Sequence, residues 1–165
     1  MTIIAIDPSG SYNEGKGHTG FAVTDTKVDF IQTFEARAKD FPNRHEYWKW
    51  IIFAVTALNP DIVVIENFVI RSNGFLIGKM PETPMLIGAL VWELEKRNIE
   101  YVFQSPSQAK TRFKDAYLGK YIPDYEIKDT ARGKLYYLNG KLINDHQRDA
   151  IKHLLYYKKY NKRED

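Results

Sequence analysis

The feature that most constrains the fold is a run of β-branched residues, "DIVVIENFVI", near the middle of the chain. Valine and isoleucine occupy every position of Ile62–Ile65, a pattern that predicts a strand buried on both faces. Helical patterns precede and follow this run. A strand between two helices favours an α/β fold, in which helices cover the sheet.

The two helical patterns indicate where their helices should begin and end. The first pattern precedes the run, and we expect Pro60 to stop its helix. The second, "TPMLIGALVWELEKRN", predicts a helix with Thr83 as N-cap and Pro84 at the first helical position. The apolar residues that recur at helical spacing in the first pattern are Tyr47, Ile51, Val55 and Leu58.

The rest of the chain supplies further elements. "TIIAID", "FAVTDT" and "VDFIQTFEA" predict three consecutive strands, as in an antiparallel meander. "EYVFQ" predicts a short strand, and "SPSQAK" the start of a third helix. Asn139 and Gly140 between two β-type runs predict a hairpin, after which Asn144 or Asp145 would cap the last helix. The polar, basic residues 117–132 fit no element clearly.

This order predicts an α/β fold with a mixed sheet, antiparallel at the start and parallel afterwards, flanked by helices. The 165 residues suit one domain over residues 1–165. The absence of cysteine excludes disulfides and cysteine-based zinc sites. No apolar run approaches the roughly 20 residues that a membrane span needs, and no signal peptide is evident, so we expect a soluble, cytoplasmic protein.

The charge pattern is compatible with nucleic-acid contact. The net charge is only +3, but basic residues gather in "QAKTRFK", "KDTARGK" and "KKYNKR", and tyrosines are frequent in the same C-terminal third. Basic residues mixed with aromatic ones favour nucleic-acid binding. An ordinary solvated surface would show the same composition.

Two acidic residues stand at the ends of predicted strands. Asp7 ends "TIIAID" and Glu66 ends "IVVIE". A charge at the tip of a buried strand is costly unless a partner compensates it. If the strands are neighbours, the two carboxylates converge, and a divalent cation would relieve their repulsion. A helix cap or a salt bridge would also explain either residue.

The stretch "NDHQRDAIKHLLYY" adds Asp145, His146 and Asp149 near the start of the last helix. At about 3.6 residues per turn these three side chains fit one helical face. Asp145 as an N-cap and Asp149 near the positive end of the helix dipole are the structural alternatives. Oxygen ligands with at most one imidazole favour Mg²⁺ or Mn²⁺ over zinc. Two such ions, about 3.5–4 Å apart, can promote phosphodiester hydrolysis.

Four motifs, in order, resemble the RuvC family of Holliday-junction resolvases within the ribonuclease H-like superfamily. They are "IIAIDPSG…HTGFAV", "IVVIENF", "SPSQAK" and the H-x-x-D of the last helix. The resemblance covers nearly the whole chain. The long first loop and the segment 114–142 are similar to the bacteriophage-encoded branch, in which case the cytoplasm would be that of a bacterial host.

This resemblance implies a two-metal nuclease. Asp7 would bridge two Mg²⁺ ions, for which Mn²⁺ would substitute, and Glu66 would bind one of them. His146 and Asp149 match the last pair of ligands in the family, which is spaced by three residues. If His146 points away, Asp145 would replace it.

The resemblance also implies a homodimer that nicks two strands of a four-way DNA junction and leaves 5′-phosphate ends. Lys110 matches a lysine near the scissile phosphate. Arg112 and Lys114 are added as DNA contacts from their charge, and Arg71 is a further candidate contact. No membrane and no nucleotide cofactor are expected as partners.

An aromatic residue, a helix and a hairpin each have two possible roles. The family opens the junction with an aromatic side chain, for which Phe68 or Phe75 would serve, although a phenylalanine at position 68 is more often simply a core residue. The helix "TPMLIGALVWELEKR" is apolar almost all round, so its second stripe would be a dimer seam or further core. The hairpin in Tyr117–Leu142 would touch DNA or cover the sheet edge.

Other functions fit parts of the pattern. An ATP-binding module of the actin and sugar-kinase type opens in the same way, but it needs two domains and a second phosphate loop. A non-catalytic DNA-binding protein would hold junctions without cutting them, with less reason to keep all four ligands. Another metal nuclease of the superfamily would cut RNA–DNA hybrids or flaps.

Overall fold

The computed structural model describes residues 1–26, 28–68 and 82–161, so the predicted sites Arg71 and Phe75 lie outside the described residues. The strands are β1 (Thr2–Asp7), β2 (His18–Asp25), β3 (Val28–Arg37), β4 (Ile62–Glu66), β5 (Glu100–Gln104), β6 (Tyr125–Thr130), β7 (Gly133–Leu138) and β8 (Lys141–Ile143). The helices are α1 (Arg44–Thr56), α2 (Glu82–Lys96), α3 (Pro106–Arg112) and α4 (Asp145–Tyr160). Among these described helices, none is long and apolar enough to span a bilayer.

Five strands form a mixed sheet in the order β3-β2-β1-β4-β5. β1 pairs antiparallel with β2 and parallel with β4, and β5 continues the parallel part. Parallel neighbours need crossover connections, and α1 and α2 lie in the connections that lead to β4 and β5. The predicted mixed sheet with flanking helices is therefore confirmed.

β6, β7 and β8 form a separate antiparallel sheet, of which the sequence predicted only the hairpin. Asn139 and Gly140 join β7 to β8 with φ angles of 51° and 73°, as a type I′ turn requires. The side-chain amide of Asn139 also donates to the backbone carbonyl of Ile31, at 3.0 Å. The hairpin thus lies against the edge strand β3, as expected of a segment that covers a sheet edge.

The first helix is shorter than its apolar spacing predicted. α1 ends at Thr56, and Leu58 is 46% exposed in the turn that follows, so the prediction that the helix includes Leu58 is wrong. The hydroxyl of Thr56 donates back to the carbonyl of Ile52 at 2.9 Å. Asn59 then adopts a left-handed conformation with a φ of 42°, which ends the helix before Pro60.

The second helix begins before its predicted cap. Glu82 is already helical, so the predictions of Thr83 as N-cap and Pro84 at the first helical position are wrong. The Thr83 hydroxyl instead accepts from the backbone N–H of Gly10, at 3.0 Å. A Cβ on Gly10 would lie 2.2 Å from the carbonyl oxygen of Glu82. The start of α2 therefore anchors the loop that follows β1.

Helices cover both faces of the five-stranded sheet. The face that packs with α4 carries Ile3, Ala5, Ala22, Ile62 and Val64. The face that packs with α1 and α2 carries Ile4, Ile6, Phe21, Val63 and Ile65. This division follows from the period of two along a strand, which sends successive side chains to opposite faces.

Candidate metal centre

The two acidic strand ends meet at one edge of the sheet. Asp7 and Glu66 end the adjacent parallel strands β1 and β4. Because side chains alternate along a strand, Asp7 shares its face with Ala5, and Glu66 shares its face with Val64. Both of those residues belong to the core beneath α4. The two carboxylates therefore face the last helix.

A glycine lets the start of α4 approach these carboxylates. Gly20 on β2 pairs with Asp7, and a Cβ on Gly20 would lie 2.2 Å from the backbone of His146. Asn144 caps α4 by accepting from the N–H of Gln147 at 2.9 Å. Of the two predicted caps, the structure uses Asn144.

Three carboxylates converge at this edge. Asp7, Glu66 and Asp149 each place an oxygen within 4.8 Å of the others. Lys110 lies among them, with its ammonium 3.0 Å from Oε1 of Glu66 and 2.7 Å from Oδ2 of Asp149. The cluster thus already accommodates one positive charge between two of its carboxylates.

Lys110 reaches the cluster because of how α3 begins. Ser105 and Gln108 form a capping box at the start of this helix, and Pro106 occupies its first turn. These features fix the start of the helix directly after β5. Lys110 then follows about one turn later, at the same sheet edge as Glu66. The predicted "SPSQAK" motif therefore positions its lysine at the site.

The two strand carboxylates differ in acidity. Burial raises the pKa of Asp7, and the hydrogen bond from His146 offsets this only in part. Burial would also raise the pKa of Glu66, but hydrogen bonds from His153 and Lys110 outweigh it and lower the pKa. In Asp149, the ammonium groups of Lys110 and Lys152 likewise outweigh burial and lower the pKa. Asp7 is thus the carboxylate with the least compensated charge.

His146 contacts the cluster through Asp7. Its Nδ1 lies 2.7 Å from Oδ2 of Asp7, and this hydrogen bond raises the pKa of the imidazole. The ring also stacks on His18, with the centroids 5.8 Å apart. In this structure His146 is therefore a hydrogen-bond partner of one carboxylate, adjacent to the group of three converging oxygens.

Asp145, the alternative to His146, points away from the cluster. Its side chain is 84% exposed and pairs with Arg148 at 2.9 Å. The exposure of Asp145 leaves His146 as the candidate on the first turn of α4.

His153 is a residue of the site that was not predicted from the sequence. It is fully buried, and its Nε2 lies 3.0 Å from Oε2 of Glu66. Spacing offered a signal for it: His146, Asp149 and His153 follow the pattern i, i+3, i+7, which places three side chains on one helical face. Lys152, which holds both Asp149 and Asp115 at 2.8 Å, was likewise not anticipated.

The other predicted DNA contacts lie at the periphery. Arg112 and Lys114 are exposed at the end of α3 and just after it. Phe68 is 40% exposed, so it is not a core residue. It lines a cleft of about 210 Å³ together with Asp7 and Glu66.

The donor set fits a hard divalent cation. Three carboxylates supply oxygen ligands, which Mg²⁺ and Mn²⁺ prefer, and the imidazoles of His146 and His153 each contact one of these carboxylates. Lys110 between Glu66 and Asp149 shows that the cluster takes a positive charge at this point. Asp7, Glu66 and Asp149 are thus the residues that could hold a metal, with His146 next to them.

Comparisons with known proteins concern the fold. No family model and no curated protein matches the chain. Thermus thermophilus RuvC in complex with a Holliday junction substrate superimposes with a TM-score of 0.64 at 15% identity, over 98% of this chain and 94% of that chain. A second Thermus thermophilus RuvC structure gives a TM-score of 0.59 at 15% identity, over 98% and 97%.

The fold is ribonuclease H-like, of the type seen in RuvC. This confirms the predicted fold class. The fowlpox virus Holliday junction resolvase covers 70% of each chain at 18% identity with a TM-score of 0.41, too low to define a shared fold. Similarity at 15% identity establishes the fold alone.

Proposed function

We propose that this protein is a structure-selective endonuclease that resolves four-way DNA junctions by paired, metal-dependent nicks leaving 5′-phosphate ends. The observation that carries the proposal is the convergence of Asp7, Glu66 and Asp149 within 4.8 Å, with Lys110 among them. The ribonuclease H-like fold, which is shared with a RuvC structure bound to a Holliday junction substrate, supports this choice of substrate.

The proposed ligands are the three carboxylates and His146. Asp7, Glu66 and Asp149 would hold the cations through their carboxylate oxygens, and His146 would add an imidazole nitrogen. When bound, Mg²⁺ or Mn²⁺ ions activate a water and stabilise the leaving oxygen of a phosphodiester. Burial raises the pKa of Asp7, so a cation would offset the cost of keeping this carboxylate charged.

The protein's own basic and aromatic groups would position the strand. Lys110 keeps its charge, because hydrogen bonds to Asp149 and Glu66 outweigh its burial and raise its pKa. A charged ammonium beside the carboxylates would hold a phosphate oxygen that these carboxylates otherwise repel. Phe68, in the same cleft, would present its ring to an unstacked base. Arg112 and Lys114, and Arg71 outside the described residues, would hold the flanking backbone.

The proposed assembly is a homodimer through the α1–α2 surface. Trp92 on α2 is 65% exposed and Phe53 on α1 is 63% exposed, although large apolar side chains usually lie inside. Gly88 lies one turn from Trp92, and a Cβ there would meet nothing within 4 Å. A second copy would cover this apolar surface and supply the second active site that paired nicks need.

The dimer can be tested with one substitution. Trp92→Glu places a charge in the proposed seam, so sedimentation should show a monomer where the unmodified protein is a dimer. Glu95→Gln, at an exposed position on the same helix, is the matched control and should remain dimeric. A dimer that survives Trp92→Glu would place the interface elsewhere.

The decisive experiment uses a synthetic four-way junction and a linear duplex of matched sequence, each with Mg²⁺ and with chelator. We expect symmetric nicks in two opposing strands of the junction, only in Mg²⁺. Junction binding without cutting would indicate a non-catalytic protein. Equal cutting of flaps or RNA–DNA hybrids would indicate a broader nuclease of the same fold.

Source and location complete the proposal. The long first loop and the segment 114–142 support a phage-encoded origin, with action in the cytoplasm of a bacterial host.

A further inference from the structure

His153 is a buried imidazole that the proposed chemistry does not use. It is fully buried on α4, and both of its ring nitrogens have partners. Nε2 lies 3.0 Å from Oε2 of Glu66, and Nδ1 lies 2.9 Å from Oε1 of Gln104. Such a placement is costly unless both hydrogen bonds are well formed.

Glu66 and Gln104 are held side by side through the backbone. Glu66 and Gln104 are paired positions at the ends of β4 and β5. The N–H of Asn67 donates to the carbonyl of Gln104 at 2.8 Å, which holds the two strand ends in register. His153 comes from the helix above and bridges both side chains. The bridge therefore links α4 to two strands directly beside the carboxylate cluster.

Hydrogen-bond chemistry defines the direction of this bridge. An ionised carboxylate can only accept, so Nε2 of His153 donates to Glu66. In a neutral imidazole, Nδ1 must then accept. The amide nitrogen of Gln104 can donate to Nδ1 if the amide is turned by 180°. This turn exchanges the amide oxygen and nitrogen and leaves the shape of the side chain unchanged. Without this turn, Nε2 of Gln104 has no hydrogen-bond partner among the described residues.

The bridge leaves one oxygen of Glu66 for the cluster. Oε2 is bound to His153, whereas Oε1 faces Lys110, which also contacts Asp149. Without the bridge, the Glu66 carboxylate would be free to rotate, and neither of its oxygens would be held at the position that Oε1 occupies beside Lys110. Groups that hydrogen-bond to metal ligands orient them in this way.

We propose that His153, held by Gln104, is a positioning residue that fixes the Glu66 carboxylate with one oxygen toward Lys110 and Asp149 and so sets the affinity of the centre for a divalent cation. This inference rests on the proposed function, because it assumes that the carboxylates bind metal. It adds that the pair His153 and Gln104 pre-organises the centre before DNA arrives.

The test measures Mn²⁺ binding to the full chain without DNA, by titration calorimetry. His153→Phe keeps a ring but removes the donor, and we expect Mn²⁺ affinity to fall by about 10–100-fold. In His153→Gln, the side-chain amide nitrogen can take the place of Nε2, so affinity should return toward that of the unmodified protein. Junction binding in chelator should stay unchanged in both variants.

Leu154→Ala is the matched control for general loss of stability. Leu154 is fully buried beside His153 on α4, but it belongs to the hydrophobic core. The variant should melt at a lower temperature and still bind Mn²⁺ with unchanged affinity. Equal losses of affinity in Leu154→Ala and His153→Phe would overturn the proposal, as would unchanged affinity in His153→Phe or no recovery in His153→Gln.

Two further variants test the role of Gln104 and the metal centre itself. Gln104→Leu keeps His153 and removes the donor to Nδ1, so affinity should fall there too, even if His153→Phe does not fold. Unchanged affinity in Gln104→Leu would overturn the role of Gln104. Asp149→Asn tests the centre itself: if it binds Mn²⁺ as the unmodified protein does, the proposed metal site fails, which is distinct from failure of His153 alone.

Discussion

The two faces of the five-stranded sheet are built differently. The face toward α1 and α2 is closed by apolar and aromatic side chains such as Phe21 and Leu90, both fully buried. The face toward α4 has a similar apolar floor, but its outer end holds Asp7, Glu66 and Asp149 with their histidine and lysine partners. One strand contributes to both faces, because Ile6 and Asp7 point in opposite directions.

This difference separates stability from chemistry. Burial of apolar surface is favourable without further conditions, so the α1–α2 face stabilises the fold wherever its side chains fit. The carboxylates lose hydration when buried, and each needs a donor or a cation in return. The site is thus the part of the sheet where bringing charges together lowers the stability of the fold. Substitutions on the two faces should have opposite consequences.

The largest expected effect concerns catalysis on the α4 face. Asp149→Asn removes the charge of a proposed metal ligand, so we expect the proposed junction cutting to fall by more than about 100-fold. This exceeds the roughly 10–100-fold loss that follows when a group that only hydrogen-bonds to a metal ligand is removed. Junction binding should persist, because the amide repels phosphate less. Asp145→Asn, an exposed position one turn earlier, is the control and should cut normally. Normal cutting by Asp149→Asn would refute the site.

The next effect concerns stability on the other face. Leu90 is fully buried on α2, so Leu90→Ala should lower the free energy of unfolding by about 2–5 kcal/mol, as measured by denaturant titration. The affinity for Mn²⁺ should not change, since the cluster lies across the sheet. If metal affinity falls together with stability, the two faces are coupled and the separation proposed here is wrong.

Gly20 tests the contact between α4 and the sheet. A Cβ at this position overlaps the backbone of His146 at 2.2 Å, so Gly20→Ala should cost roughly 3 kcal/mol of stability and should weaken Mn²⁺ binding. Gly119→Ala is the matched control, because its Cβ would make only an ordinary contact, 3.4 Å from the carbonyl oxygen of Tyr125. Equal stability of the two variants would contradict the close approach.

The smallest effect is a pH dependence from the pair of His146 and Asp7. The pair raises the pKa of His146 above its ordinary value of 6.5. Its contribution to stability is therefore complete below pH 6.5 and is lost as pH rises through the raised pKa. Because the imidazole is 40% exposed, the contribution should stay below about 1 kcal/mol. Melting in chelator across this range should show the decline, and His146→Gln should remove it.

Much of the fold could be predicted from local patterns. The β-branched run at Ile62–Ile65, the hairpin at Asn139 and Gly140, and the helix start at Ser105 and Pro106 each depend on neighbours in sequence. The wrong predictions concern helix ends, where two local structures are possible and the sequence pattern does not choose between them. Leu58 continued the apolar spacing but followed the helix end, and Thr83 was a good cap whose hydroxyl bonds to another segment.

The sequence by itself determined which carboxylates stand at strand ends, and only the family resemblance led us to expect that the last helix would bring Asp149 and His146 toward them. Only the tertiary structure decided that Asp145 points to solvent and that His153 binds Glu66. The reason is separation along the chain: Asp7 and His146 are 139 residues apart, and Glu66 and His153 are 87 apart. The rules of periodicity and capping reach only a few residues, whereas contacts at that distance depend on how the helix packs on the sheet.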